Sequence, residues 1–185
     1  MRDATARPRQ NGAMNLRAAS RKWILGGLLG LLASVVDAAP PGPGDVPPPM
    51  LGVTRGGDRV QVTDFAGKVV VVTFWATWCP YCLKELPILE NVQNQAGKDR
   101  IEVIAVNTES REVYRTAWRT MSQTTHMALL HDLGGAAQAA YGVKSLPHMV
   151  IIGRDGRIVK IWHGYDVESV PAIVDDLNRA MAASP

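Results

Sequence analysis

The chain has 185 residues, of which 46% are apolar, 20% are charged and two are cysteines. This composition excludes a collagen-like, coiled-coil or wholly disordered chain, and the length suits one domain with an appendage. Residues 1–38 carry six basic and two acidic side chains, a net charge of +4, which leaves 14 basic and 15 acidic residues in the remainder. A region with a net charge of −1 lacks the basic footprint of a nucleic-acid-binding protein, so we expect no nucleic-acid partner.

Residues 1–38 are predicted to form a signal peptide. An apolar run of fourteen residues, Trp23 to Val36, follows a basic stretch and precedes small residues that match a cleavage site after Ala38. A helix of this length reaches about 21 Å, which is short of the ~30 Å hydrocarbon core of a membrane. An uncleaved signal anchor is the alternative. Both interpretations place the globular part outside the cytoplasm.

Residues 39–50 are predicted to be a proline-rich linker. Positions 40–49 contain six prolines and two glycines. Proline removes backbone donors and favours extended geometry, which is typical of a spacer and not of a core. The domain is therefore expected to cover residues 51–185.

Strand and helix patterns alternate along the domain. A hairpin is predicted over residues 51–62 around Gly56-Gly57, and a second one joins 148–152 to 158–162 through Asp155-Gly156. Apolar runs indicate buried strands at 68–75, 101–106 and 127–130. Apolar spacing and capping residues predict helices at 80–96, 110–121, 136–141 and from Ser169 onward. This order indicates an α/β fold with a central mixed β-sheet flanked by helices and an N-terminal β-hairpin.

Both cysteines of the chain lie in the motif Cys79-Pro80-Tyr81-Cys82, where a predicted strand ends and a helix begins. The unpaired amides and the dipole of a helix N-terminus stabilise a thiolate, which favours Cys79 as the nucleophile. Cys82, one turn further on, is placed to resolve a mixed disulfide on Cys79. Structural thiols and a zinc half-site are weaker interpretations, because exported thiols oxidise and no second Cys or His pair has ligand spacing.

The stretch FAGKVVVVTFWATWCPYCLKELPILENV, residues 65–92, resembles the active-site region of the thioredoxin superfamily and specifically its exported TlpA/ResA-like thiol-disulfide oxidoreductases. The aromatic-Trp-Ala-x-Trp-Cys-x-x-Cys string is far more specific than a bare pair of cysteines. The resemblance implies a thioredoxin-like fold with a central strand-helix insertion. Residues 110–133 have room for that insertion.

Glu85 resembles the buried acidic residue that manages protons for the cysteine pair in ResA-like proteins. Thr73 stands where cytoplasmic thioredoxins hold a buried aspartate, so Glu85 is the residue expected to supply that function. A carboxylate beside two thiols raises the pKa of the thiols, or it takes the proton of Cys82 as that residue attacks. A solvent-facing glutamate in the first helical turn is the alternative.

The remaining site residues follow from the same resemblance. Pro147 matches the cis-proline that packs opposite the cysteines, where the preceding backbone pairs with substrate, and Pro87 matches the proline that bends the active-site helix. His148 replaces a common threonine; it is expected to tune the thiolate or contact a partner, with an exposed loop histidine as the alternative. Trp75 is expected in the core. The substrate-binding candidates are Trp78, Pro80, Tyr81, Leu146, Pro147 and His148.

These observations predict an exported, periplasmic or otherwise extracytoplasmic thiol-disulfide oxidoreductase, and we favour a protein-disulfide reductase. The expected partners are disulfide-containing exported proteins and a membrane thiol-disulfide electron donor. No organic cofactor or metal is expected, and cytochrome c maturation is one task of the family. An oxidase or isomerase stays open because cysteine spacing does not determine the direction of electron flow. A Cu(I) metallochaperone using the thiolates and His148 is a more remote alternative.

Overall fold

The computed structural model describes residues 39–183. The predicted signal segment, residues 1–38, lies outside these residues, so its identity stays a prediction. Within residues 39–183, none of the helices combines the length and the apolar character needed to cross a bilayer.

In the described part of the chain, seven strands form a single sheet: β1 (Met50–Val53), β2 (Arg59–Gln61), β3 (Val69–Trp75), β4 (Ile101–Asn107), β5 (Ala128–His131), β6 (His148–Ile152) and β7 (Ile158–His163). Their spatial order is β2-β1-β5-β4-β3-β6-β7. Strands β3, β4 and β5 are parallel, whereas β1 and β6 run antiparallel to their neighbours β5 and β3. The predicted mixed sheet and N-terminal hairpin are therefore confirmed.

Among residues 39–183, four α-helices cover the two faces of this sheet: α1 (Pro80–Ala96), α2 (Arg111–Met121), α3 (Ala136–Tyr141) and α4 (Val170–Ala182). One core layer joins Leu89 of α1 and Leu177 of α4 to the sheet, and the opposite layer joins Tyr141 of α3 to Phe74 of β3. Strand β3 is buried at all seven positions, because it lies between β4 and β6 with a core layer on each face. This explains its continuous apolar sequence.

The topology brings two chain segments to one edge of the sheet. Because β3 and β4 are parallel neighbours, the loop that leads from β3 into α1 and the loop that follows β4 leave at the same end. The first loop contains Cys79, and the second contains Glu109. Helix α2 and strand β5 then occupy the stretch in which a strand-helix insertion was expected.

The segment that was expected to be a spacer contacts the folded body. The Gly44 amide donates to the carbonyl of Ile158 at 2.7 Å, and the Ile158 amide donates to the carbonyl of Asp45 at 2.9 Å. The Tyr141 hydroxyl donates to the carbonyl of Pro48 at 2.7 Å. The proline-rich stretch therefore lies against β7 and α3, and the domain includes residues that precede β1.

The short helix α3 depends on one buried carboxylate. Asp132 accepts hydrogen bonds from the amides of Ala137 at 2.8 Å and Gln138 at 2.9 Å. We expect Asp132→Ala to lower the free energy of unfolding by about 1–3 kcal/mol, because both amides lose their acceptor. Urea denaturation measures this loss. The exposed Asp175→Ala on α4 is the control, and equal stabilities of the two variants would contradict the capping role.

Candidate active site

The two cysteines form a disulfide at the amino end of α1. Their Cα atoms lie 5.3 Å apart. Cys79 is the N-cap residue, and its sulfur accepts a hydrogen bond from the Cys82 amide at 3.1 Å. An amide donor and a helix N-terminus both stabilise negative charge on the Cys79 sulfur once the disulfide is reduced. The arrangement therefore distinguishes the two thiols chemically.

The disulfide is almost inaccessible to solvent, and exposed aromatic residues are its neighbours in the chain. Cys79 is 3% exposed and Cys82 is fully buried, whereas Trp78 is 70% and Tyr81 is 55% exposed. Pro80, between them, is also exposed. A large apolar surface in water favours contact with a partner protein. These exposed side chains are therefore candidates for contact with a partner that approaches Cys79.

The Leu146–Pro147 peptide bond is cis, as the family resemblance implied. Pro147 is buried, and its carbonyl accepts a hydrogen bond from the Gly164 amide at 2.8 Å. Leu146 and Trp78 line one cleft of about 390 Å³, together with Thr108, Glu109, Gln138, Val143, Lys144 and Ser145. The structure thus brings two of the substrate-binding candidates, Trp78 and Leu146, to the same cleft.

Glu85 is buried, 2% exposed, one helical turn after Cys82. Its Oε2 accepts a hydrogen bond from the Thr73 hydroxyl at 2.7 Å, and its Oε1 has no hydrogen-bond partner among the described residues. Burial raises the pKa of Glu85 to about 7, although the hydrogen bond from Thr73 acts in the opposite direction. The alternative of a solvent-facing glutamate is wrong, because this face of α1 packs on the sheet. A carboxyl group that titrates near neutral pH is suited to exchange a proton with a thiol.

His148 is the site candidate that the structure corrects. It is not an exposed loop residue: it begins β6, is 2% exposed, and packs edge-on against Phe74 with ring centroids 6.0 Å apart. Side chains alternate along β6, so His148 shares a face with Val150, on the side of the sheet opposite Cys79 and Cys82. Its ring is therefore available neither to a partner at the surface nor to the sulfur atoms.

The environment of His148 keeps it uncharged. Its two ring nitrogens have no hydrogen-bond partner among the described residues, and the ring of His163 lies 4.7 Å away. Burial, followed by the charge of His163, lowers the pKa of His148 to about 4. The copper-binding alternative required this imidazole beside the two thiolates, and the sheet separates them. In residues 39–183, no three His, Cys, Asp or Glu side chains are grouped so as to hold a metal ion.

A carboxylate that the sequence analysis did not identify holds the active-site loop. Glu109 Oε2 accepts a hydrogen bond from the Thr77 amide at 2.6 Å, and Oε1 accepts one from the Thr77 hydroxyl at 2.9 Å. Asn107 in turn fixes Glu109. The Asn107 side-chain amide donates a hydrogen bond to Glu109 Oε2 at 3.1 Å, and the Asn107 side-chain oxygen accepts one from the Glu109 backbone amide at 3.1 Å. The feature of the sequence that could have indicated this role is the position of Glu109 just after β4, at the same edge of the sheet as Cys79.

We expect Glu109→Ala to release Thr77 and loosen the loop that presents Trp78 and Cys79. The rate of disulfide exchange is expected to fall about tenfold, because small misplacements of reacting groups are costly, while stability falls by only about 1–2 kcal/mol. Stopped-flow tryptophan fluorescence of the exchange reaction measures the rate. Glu112→Ala, on the exposed first turn of α2, is the control. A rate equal to that of the control would contradict the positioning role.

Comparison with known proteins agrees with this geometry. The family model described as Redoxin matches residues 37–177. Thiol-disulfide oxidoreductase ResA of Bacillus subtilis (strain 168) is 32% identical over 115 residues, which cover 62% of this chain and 63% of ResA. Thioredoxin-like protein YneN of the same organism is 34% identical over 113 residues, covering 60% of this chain and 65% of YneN. The chain thus spans less than two thirds of the length of these curated relatives.

Solved structures agree on the fold. A thiol:disulfide interchange protein of the thioredoxin family from Chlorobium tepidum TLS is 22% identical, with a TM-score of 0.61 over 78% of this chain and 100% of that one. The exposed lipoprotein thioredoxin from Streptococcus pneumoniae strain TIGR4 is 27% identical, with a TM-score of 0.59 over 70% of this chain and 97% of that one. The fold is thioredoxin-like, and because the family match covers most of its length, the chain belongs to the Redoxin family.

Proposed function

We propose that the protein is a thiol-disulfide oxidoreductase that reduces disulfide bonds in other proteins. The observation that carries this proposal is the Cys79–Cys82 disulfide at the amino end of α1, with Cys79 at the N-cap and less buried than Cys82. Several relatives that the chain resembles are named thiol-disulfide oxidoreductases, which supports the same reaction class.

The proposed reaction has two exchange steps. In the reduced protein, the Cys79 thiolate attacks one sulfur of a substrate disulfide, forms a mixed disulfide and releases the first substrate thiolate, which takes a proton. The Cys82 thiol then loses its proton to the Glu85 carboxylate, and its thiolate attacks the Cys79 sulfur. The second substrate thiolate leaves, so the substrate gains two electrons and the protein is left as the Cys79–Cys82 disulfide.

The buried carboxyl group supports reduction as the direction. A negative charge on Glu85 near the cysteine pair disfavours a thiolate and therefore disfavours the reduced form. A less stable dithiol corresponds to a more negative reduction potential, which makes the protein a stronger reductant. The oxidase or isomerase alternative requires the opposite balance, in which stabilisation of the Cys79 thiolate by the helix N-terminus dominates.

One measurement separates these directions. We expect equilibration with glutathione redox buffers to give a reduction potential near that of thioredoxin, about −270 mV, and we expect the reduced protein to reduce insulin disulfides. A potential near that of a strong oxidant, about −120 mV, would overturn the reductase proposal and support an oxidase.

The location and partners of the protein are part of the same proposal. We propose that residues 1–38 direct export, that the substrates are disulfide-containing exported proteins, and that a membrane thiol-disulfide carrier returns two electrons to the disulfide. Apocytochrome c is one substrate that the family resemblance suggests. N-terminal sequencing of the protein isolated from the periplasmic fraction tests the export proposal; an intact N-terminus in the cytoplasmic fraction would contradict it.

A further inference from the structure

A second cleft, of about 950 Å³, lies between the β1–β2 turn and α2. The cleft is lined by Arg55 of the turn and by Arg115, Trp118 and Arg119 of α2. The floor consists of residues 128–130 at the start of β5. This cleft shares no lining residue with the cleft beside Trp78, so it is a separate surface.

The cleft is a concentration of positive charge. Arg55, Arg115 and Arg119 are exposed, and no aspartate or glutamate lines the cleft. None of the three guanidinium groups lies within 4 Å of a carboxylate in the part of the chain that the structure describes. The region that follows residue 38 has a net charge of −1, so the cleft departs locally from a nearly neutral protein. Such a surface attracts carboxylates.

Trp118 orients one of these arginines. The Cζ atom of Arg55 lies 4.5 Å from the centroid of the Trp118 ring. Trp118 is half-buried and packs against the core, so its ring is a fixed platform. Stacking uses the face of the guanidinium group and leaves its N–H donors at the edges free to bind a carboxylate. Part of the entropy cost of ordering Arg55 is therefore met before a ligand arrives.

The shape of the cleft favours an extended ligand. Strand β5 pairs with β4 at all four of its positions, but β1 pairs with β5 only at Val53 and His131 before it turns away. The start of β5 therefore leaves an open strand edge at the floor of the cleft, beside Arg55 and the arginines of α2. In an extended peptide, side chains point alternately to opposite sides, so acidic residues two apart lie on one side and can face the arginines together.

We propose that this cleft binds an extended acidic segment of a partner protein. Its chemistry is charge pairing with Arg55, Arg115 and Arg119, and it does not involve the disulfide. The proposal therefore predicts that binding is equal in the oxidised protein and in variants that lack either cysteine. This separates its failure from any failure of the proposed redox function.

The test uses an acetylated hexaglutamate peptide as the probe and isothermal titration calorimetry of the purified protein at low ionic strength. We expect Arg115→Glu to weaken binding about fivefold, as expected when an exposed pair is replaced by a repulsion. The control is Lys160→Glu, which makes the same change of charge. The Lys160 Nζ lies 5.4 Å from the ring of Trp162, on β7 at the opposite edge of the sheet. We expect this control to change affinity less than twofold.

Four outcomes overturn the proposal. If Arg115→Glu binds the peptide as tightly as the wild type does, the cleft is not the binding site. If Lys160→Glu loses as much affinity as Arg115→Glu, the peptide is attracted only by the net charge of the protein. Inorganic phosphate that displaces the peptide at equal concentration indicates a site for a small anion. Binding to phosphatidylglycerol vesicles that requires Arg115, without binding of the peptide, indicates a membrane surface. Circular dichroism of both variants verifies that the fold is retained.

Discussion

Cys79→Ser is expected to reduce the turnover of protein disulfides by about a thousandfold or more, whereas Cys82→Ser retains the first attack and accumulates a mixed disulfide with its substrate. The reason is the asymmetry of the site. Cys79 is the N-cap residue with its sulfur hydrogen-bonded to an amide, and Cys82 is fully buried inside the first turn. Only a thiolate at position 79 is both stabilised by the helix and next to the exposed Trp78.

The two serine variants are matched controls for each other. Both lose the Cys79–Cys82 disulfide, so a loss of activity that came only from lower stability would be similar in the two. Each reduced variant is incubated with insulin, whose disulfides are intact, and non-reducing electrophoresis and mass spectrometry measure the trapped complex. A mixed disulfide on Cys79→Ser, with none on Cys82→Ser, would reverse the assignment of nucleophile and resolving cysteine.

Local patterns were sufficient to predict most strands and helices and the mixed sheet, whereas the thioredoxin-like fold came from the family resemblance. The buried strand β3 is a continuous β-branched and aromatic run, and α1 begins at Pro80 and ends before Gly97, as its apolar spacing and stop residue indicated. The contacts of the proline-rich segment were not predictable in this way. They depend on where β7 and α3 lie in space, as the bond from Tyr141 to the Pro48 carbonyl shows. Composition identifies an extended chain, but it does not reveal the surface that the chain follows.

The site shows the same division between local and tertiary information. The position of the cysteines at a strand-to-helix junction is local and was predicted from the motif. The hydrogen bonds from Thr77 to Glu109 join residues 32 apart in sequence, and the parallel pairing of β3 and β4 brings these residues together. The error at His148 has a related cause, since the face of β6 on which its ring lies follows from strand register and not from proximity to Pro147.

Glu85→Gln is expected to stabilise the oxidised protein above neutral pH. The pKa of Glu85 is raised from 4.5 to about 7, chiefly by burial, so folding disfavours its charged form. Below about pH 4.5 the carboxyl group is protonated in both the folded and the unfolded chain, and it costs no stability. Between about pH 4.5 and 7 the folded chain holds the proton that the unfolded chain has lost, so stability falls as pH rises. The full loss, about 3 kcal/mol, is present above pH 7.

The difference between wild type and variant isolates this effect, because His148 contributes with the opposite sign. The pKa of His148 is lowered to about 4, so its titration raises the free energy of unfolding of both proteins as pH rises from about 4 to 6.5. Urea denaturation of the oxidised proteins from pH 4 to 8 should therefore give nearly equal stabilities at pH 4 and an advantage for Glu85→Gln that levels off above pH 7. The exposed Glu168→Gln should show no such trend. A stability difference that does not change with pH would mean that folding does not raise the pKa of Glu85. The carboxyl group would then hold a proton too weakly near neutral pH to serve as the acceptor of the Cys82 proton.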